Sequence, residues 1–308
     1  MRTIKLNNGI EMPQIGLGTF LIPKDNLSRT IAQAYEMGYR QFDTAWRYHN
    51  EKDIAKALKE NGINRADVFI TTKVNRDAFY LRPYYHRTGW RKVLNVRNFK
   101  SVSRVIQESF DNLGTDYIDL FLVHWPYPIE LSMRMYEEMT RLYHQGRFRA
   151  IGVCSSLPPH FEAYKDVSDV IPSVNQFEIS PLNTQKSLIS FCHERGIAVE
   201  AMSTFSHFRS NEPRKEILEN EKLVSIARRH GKSVVQVVLR WLIQQSIVII
   251  PKTWETAHLK ENIEIEDFSL SDEEMTVIDS LDQGEFLNYH PDRLLYTLPQ
   301  KYQGWTGF

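Results

Sequence analysis

The stretch "SVSRVIQESFDNLGTDYIDLFLVHWPYPIELSMRMYEEMTRLYHQGRFRAIGVC", residues 101–154, reads as helix, strand, helix and strand in turn. SVSRVIQESFDNLG and MRMYEEMTRLYHQG place apolar residues at helical spacing, and each closes on a glycine, Gly114 and Gly146. Between and after them lie short runs rich in apolar, β-branched and aromatic residues, bounded by turn residues. The same alternation extends in both directions. Strand-like runs fall at 15–20, 40–45, 68–74, 118–125, 148–154, 173–179, 197–204 and 247–252, and LSRTIAQAYEMG and QKSLISFCHERG, closed by Gly38 and Gly196, are further helices. Strict alternation implies right-handed βαβ crossovers and a parallel sheet. Eight units in about 250 residues fit a closed (β/α)8 barrel of the TIM type, with a doubly wound open sheet as the alternative.

Additions flank the barrel at both ends. The opening TIKLNNGIEMPQ reads as strand, Asn8-Gly9 turn and strand, a hairpin placed to cap the barrel bottom. Near the other end, Ser271 and Glu274 form a capping-box pattern for an extra helix, SDEEMTVIDSLD. An aperiodic tail rich in aromatic residues follows from Gln283. No Pro/Ser-rich linker divides the chain, so residues 1–308 are expected to form one α/β domain.

Charge and cysteine content narrow the function classes. Thirty-eight basic residues balance thirty-eight acidic ones, so no net field favours nucleic acid or an anionic membrane over a small neutral ligand. MRTIKLNNGIEMP lacks the apolar region of a secretory signal, and no run approaches the roughly 20 apolar residues of a membrane span. A cytoplasmic protein, a monomer or small homo-oligomer, is expected. Cys154 and Cys192 occur without metal-ligand spacing, which disfavours a disulfide framework or a metal site.

In a parallel barrel the site gathers at the C-terminal ends of the strands. Three successive runs supply titratable residues there: Asp43 with Tyr48 just beyond, Lys73 in VFITTKV, and His124 after IDLFLV. Neighbouring strands lie about 4.8 Å apart, so the four can converge. Alone, Asp43 and Lys73 read first as an ordinary inter-strand ion pair; with Tyr48 and His124 aligned, they read as a site. A nearby ammonium is expected to lower the phenol of Tyr48 and make it a usable acid. Asp43 would hold Lys73 charged, and His124 would donate to a substrate carbonyl oxygen. The set suits carbonyl reduction.

The residues also resemble the aldo-keto reductase family. "MPQIGLGTF", "FDTAWRYHNE", "FITTKV", "LGTDYIDLFLVHWP", "RAIGVCSS", "SVNQFEISP" and "IIPKTWETAHLKEN" occur in the family's order over nearly the whole chain. The resemblance implies the barrel with its N-terminal hairpin, hydride transfer from a nicotinamide cofactor to an aldehyde or ketone, and a tetrad of Asp43, Tyr48, Lys73 and His124. It also implies a cofactor surface of Gly18, Thr19, Phe20, Asp43, Cys154, Ser155, Gln176, Met202, Ser203, Thr204, Phe205, Lys252, Thr253, Trp254, His258, Glu261 and Asn262.

Parts of that surface depart from the family. Cys154 and Ser155 stand where Ser-Asn commonly holds the carboxamide, with Gln176 kept as the third amide contact. Met202 replaces the tyrosine that stacks on the ring and offers a thioether instead of a π face. His258 replaces an arginine and lacks its bidentate fork for a 2′-phosphate. NADPH is still expected to be preferred, through Lys252, with NADH as the second candidate.

The segment after Lys73, NRDAFYLRPYYHRTGWRKVLNVRN, is longer than the family's connection and should overhang the barrel mouth. Tyr80, Tyr84, Tyr85, His86 and Trp90 are expected to wall a substrate pocket with Phe20, Trp46 and Trp125, and Arg82, Arg87 and Arg91 would favour an anionic or hydroxylated substrate. Two other functions compete. One is a nicotinamide-binding sensor on the same barrel with little turnover. The other is a thiol enzyme pairing Cys154 with His124, which leaves Tyr48 and Lys73 without a task.

Overall fold

The computed structural model describes residues 2–75, 101–205, 212–284 and 286, with residues 212 and 213 described in backbone alone. Eight short strands form one parallel sheet: β3 (Gly16–Gly18), β4 (Gln41–Asp43), β5 (Phe69–Val74), β6 (Ile118–Val123), β7 (Phe148–Cys154), β8 (Val174–Glu178), β9 (Ala198–Met202) and β10 (Val248–Ile249). They neighbour one another in chain order, β3 to β10. The two outer strands meet through a parallel bridge between Ile15 and Ile249, where the Ile249 N–H donates to the Gln14 carbonyl at 2.9 Å. This bridge curls the sheet into the expected barrel.

Helices fill the crossovers. They are α1 (Lys24–Glu36), α2 (Glu51–Glu60), α3 (Val102–Leu113), α4 (Ile129–His144), α5 (Pro158–Lys165), α6 (Lys186–His193), α7 (Glu212–Glu219), α8 (Glu221–His230) and α9 (Val234–Gln244). α10 (Thr256–Ile263) and α11 (Asp272–Asp279) follow the last strand, and the predicted Ser271/Glu274 capping box starts α11. At the end of α3, Gly114 takes φ +60°, which an L side chain adopts only at a cost, and its N–H bonds the Phe110 carbonyl at 2.8 Å.

Two cores result. Outward-facing strand residues such as Val74, Phe121, Val123 and Ile151 pack against the helices. A smaller cluster inside the barrel contains Phe69, Leu120, Leu122, Ala150 and Val174. The antiparallel hairpin β1 (Thr3–Lys5) and β2 (Glu11–Pro13) adds Leu6 and Met12 to that inner cluster, closing the bottom as its turn signal predicts. The inner apolar layers stop short of the other end. There the inward positions are polar: Gln41, Asp43, Lys73, His124, Gln176 and Glu200.

Candidate active site

Side-chain alternation explains why these residues meet. On β5, Phe69 and Lys73 face inward while Val74 faces the helices, so the residue after the strand, Asn75, turns inward again. The register pairs Val74 with Val123, and the His124 N–H bonds the Val74 carbonyl at 3.0 Å. Asn75 and His124 are therefore neighbours.

The centre is an ion pair. Lys73 Nζ lies 2.6 Å from both carboxylate oxygens of Asp43 and donates to the Thr44 carbonyl at 2.9 Å, with both side chains buried. Burial disfavours both charges. For Lys73 burial is the largest single influence and lowers the ammonium, but Asp43 together with Tyr48 and Cys154 reverses it and raises the ammonium above its ordinary range. For Asp43 burial is the largest influence and pushes the carboxyl up, against the pull of Lys73 and a hydrogen bond from Gln176. One partner removed would strand the other in a dry interior.

Tyr48 ends a 3-10 turn, Trp46–Tyr48, directly above this pair. Its ring centroid is 5.3 Å from Lys73 Nζ, 4.7 Å from the ring of Phe20 and 5.8 Å from that of His124, which it meets edge-on at 77°. The expected lowering of its phenol is not what the structure shows. Burial is the dominant influence and pushes Tyr48 up to about 12, while Lys73 pulls only part of the way back. The phenol is thus protonated over the whole neutral range.

His124 is held neutral. Burial, Lys73 and Arg47 together push its imidazolium well below the ordinary value. Its ring stacks on Trp125, with centroids 5.6 Å apart and planes 9° apart. Trp46, also at the mouth, donates its indole N–H to Glu108 at 3.1 Å. Tyr80, Tyr84, Tyr85, His86 and Trp90, with Arg82, Arg87 and Arg91, lie outside the described residues, as does most of the aromatic tail.

A buried chain runs on from the ion pair. Gln176 Nε2 donates to Asp43 at 3.0 Å and to Glu200 at 2.6 Å, and Gln41 Nε2 donates to the other oxygen of Glu200 at 2.6 Å. Glu200 is raised to about 7, first by burial and then by Asp43. Sequence reasoning did not select Gln41, Asn75 or Glu200. All three sit on inward positions of strands or just past a strand end, the rule that selected Asp43 and Lys73, so a wider use of it would have found them.

Several of the residues expected at the cofactor lie at or just past the strand ends. The Thr19 hydroxyl donates to the Asp43 carbonyl at 2.8 Å, and Asn50 donates to Thr19 at 3.1 Å, tying the ends of β3 and β4 together. Gly18 sits where a Cβ would lie 2.7 Å from the Ile250 carbonyl, so the seam of the barrel closes only on glycine. Ser155 and Ser203, just past β7 and β9, hold left-handed φ angles of 48° and 56°, a strained turn repeated at two strand ends. Met202 is the last residue of β9, and Thr204 and Phe205 continue past Ser203. The Gln176 carbonyl oxygen has one partner among the described residues, the Cys154 thiol at a distant 3.9 Å. That oxygen, with two lone pairs, has acceptor capacity left over.

After β10, Lys252 leans over the Trp254 ring at 4.8 Å. Desolvation and the nearby guanidinium of Arg214, on α7, lower its ammonium. Neither cation has an anionic partner among the described residues, which leaves an uncompensated positive site suited to a phosphate. Arg214 carried no sequence signal, because it lies on α7, in a different element from Lys252. Thr253 caps the following Glu255 N–H at 3.1 Å, Asn262 is buried on α10 beside Glu261, and His258 is exposed on the same helix. A carboxamide acceptor and a pair of cations are groups that a nicotinamide dinucleotide can use. The thiol alternative does not fit. Burial pushes the Cys154 thiol up, away from the thiolate that such chemistry needs.

Residues 14–283 match the pattern of the aldo/keto reductase family. The chain belongs to that family. Glyoxal reductase of Bacillus subtilis (strain 168) is 36% identical over 296 residues, covering 96% of this chain and 98% of that protein. An aldo-keto reductase from a Medee basin deep-sea metagenome library superposes with a TM-score of 0.80 at 33% identity, over 93% of this chain and 97% of that one. A mutant of Gox0644 in complex with NADPH superposes with a TM-score of 0.79 at 29% identity, over 92% and 96%. This aldo/keto reductase is an NAD(P)H-dependent oxidoreductase that reduces an aldehyde or ketone to an alcohol. Among the described residues no helix is long and apolar enough to cross a membrane, and no cluster of metal-ligating side chains occurs.

Proposed function

We propose that Tyr48 is the general acid of this reductase, that Lys73, Asp43 and His124 complete its catalytic set, and that NADPH is preferred over NADH. The observation that carries the reading is the buried Lys73–Asp43 pair beneath the partly exposed phenol of Tyr48, with a neutral imidazole beside it. The bound dihydronicotinamide supplies a hydride to the carbonyl carbon. Everything else is the task of this chain's own side chains.

As charge grows on the carbonyl oxygen, His124 donates a hydrogen bond to it and Tyr48 donates its proton. A phenol near 12 is a far stronger acid than the alcohol being formed, so that transfer runs downhill. The tyrosinate left behind is stabilised by the Lys73 ammonium, which Asp43 keeps charged, until solvent returns a proton. Burial therefore serves the reductive direction. It keeps the proton on Tyr48 until the oxygen needs it.

Lys252 and Arg214 support the cofactor preference. Two cations without anionic partners gain most from a 2′-phosphate, and Arg214 supplies the guanidinium that His258 lacks at the family's usual position. Arg214→Ala is expected to weaken NADPH binding roughly tenfold and leave NADH binding unchanged. Tryptophan fluorescence titration of both cofactors measures this, and equal losses for both would reject the phosphate assignment. Substrates are small carbonyl compounds. The relative named glyoxal reductase makes glyoxal and related dicarbonyls the first to assay.

A further inference from the structure

The imidazole of His124 is useful to a carbonyl only if the nitrogen facing substrate carries a proton. A neutral ring carries one proton, on Nδ1 or on Nε2, and the choice is set by whatever bonds the other nitrogen. Here that partner is Asn75. Its amide nitrogen lies 3.1 Å from His124 Nδ1, with both side chains buried. An NH2 group can only donate, so Nδ1 accepts and the proton resides on Nε2.

The placement follows from strand geometry. Asn75 and His124 are each the first residue past their strands, and the Val74–Val123 register sets them side by side facing inward. The stack of His124 on Trp125 then restrains the ring plane. Lys73 and Arg47 are the charged groups acting on the imidazole, and both repel a second proton.

We propose that Asn75 is a positioning residue for carbonyl reduction: by donating to Nδ1 it fixes His124 as the Nε2–H tautomer, the form that donates to the substrate oxygen. The inference rests on the proposed role of His124. It adds that this role depends on an amide at position 75, which a carboxylate of the same shape cannot replace.

Asn75→Asp tests it. A carboxylate accepts from Nδ1–H, so the neutral ring would present a bare Nε2, and only the doubly protonated ring would donate. The variant is expected to lose kcat as pH rises and recover it as pH falls, a limb absent from the wild-type profile, while NADPH affinity stays at the wild-type value. Asn75→Ala is expected to lower kcat roughly tenfold at all pH values, again with unchanged NADPH affinity. Nitrogen NMR of histidine-labelled wild-type protein, with His124→Gln for assignment, should show His124 protonated at Nε2. An Nδ1–H signal in the wild type overturns the proposal without any variant having to fold. So does an Asn75→Asp profile matching the wild type. If His124→Gln itself leaves turnover unchanged, the role of His124 fails and takes the inference with it. If that variant is slow while both Asn75 variants are normal, the inference alone fails.

Discussion

Individual residues are where the chemistry is most exposed to test. Tyr48→Phe removes the proton donor with little change in volume, and it should lower turnover by roughly 100- to 10,000-fold while leaving NADPH affinity intact. Single-turnover oxidation of bound NADPH by glyoxal, beside a fluorescence titration, separates the two effects. Lys73→Met should be slow as well and should also unfold more easily. It leaves Asp43 buried without its cation, at a cost of roughly 3 kcal/mol in a urea melt. The four titratable residues were legible in the sequence because three lie at the ends of apolar runs and Tyr48 follows in the loop after one, and a plain ion pair accounts for only two of them. The direction of the Tyr48 shift was not. Sequence spacing places a lysine near the phenol, but the competing effect is loss of water, which depends on how Phe20, His124 and the strand ends close around the ring.

Elements act through the strands that carry the inner layer. β4, β8 and β9 contribute Gln41, Gln176 and Glu200 to one hydrogen-bonded chain beneath the ion pair. Glu200 holds its proton to about pH 7 when folded but releases it near 4.5 when unfolded. Its contribution is fully present below pH 4.5, is lost as pH rises from 4.5 to 7, and stays lost above that, a total on the order of 3 kcal/mol. Glu200→Gln mimics the protonated form at every pH. The buried Gln41 carbonyl oxygen, which lacks a partner, can then accept from the introduced amide once the Gln41 amide turns over. The variant should gain melting temperature over wild type on moving from pH 5 to pH 8, and a difference that is constant across that range would contradict the assignment. Chains of this kind are hard to read from sequence. Each strand's pattern was recognised, but which inward residues face one another depends on register, and register appears only when the strands are paired.

For the whole molecule, alternation of strand and helix pointed to the barrel with an open sheet as the alternative, while the Asn8-Gly9 turn marked the hairpin and the Ser271/Glu274 capping box an extra C-terminal helix, because hydrophobic period, turn residues and caps are local signals. The seam was a different matter. It is a long-range contact, formed by the Ile15–Ile249 bridge and by the close approach of Gly18 to Ile250. Gly18→Ala should force these backbones apart and cost roughly 1–3 kcal/mol, seen as a lowered melting temperature and weaker cofactor binding at the adjacent mouth. The proposed cofactor preference is likewise a property of the molecule, since Lys252 and Arg214 come from different elements, a loop after β10 and helix α7. The central claim, that the phenol of Tyr48 over a buried lysine–aspartate pair delivers the proton in a carbonyl reduction, is tested most directly by single-turnover NADPH oxidation in wild type and Tyr48→Phe at saturating glyoxal. A wild type that consumes NADPH and a variant that binds it equally well yet is at least 100-fold slower is the predicted result. Equal rates in the two proteins would contradict the account.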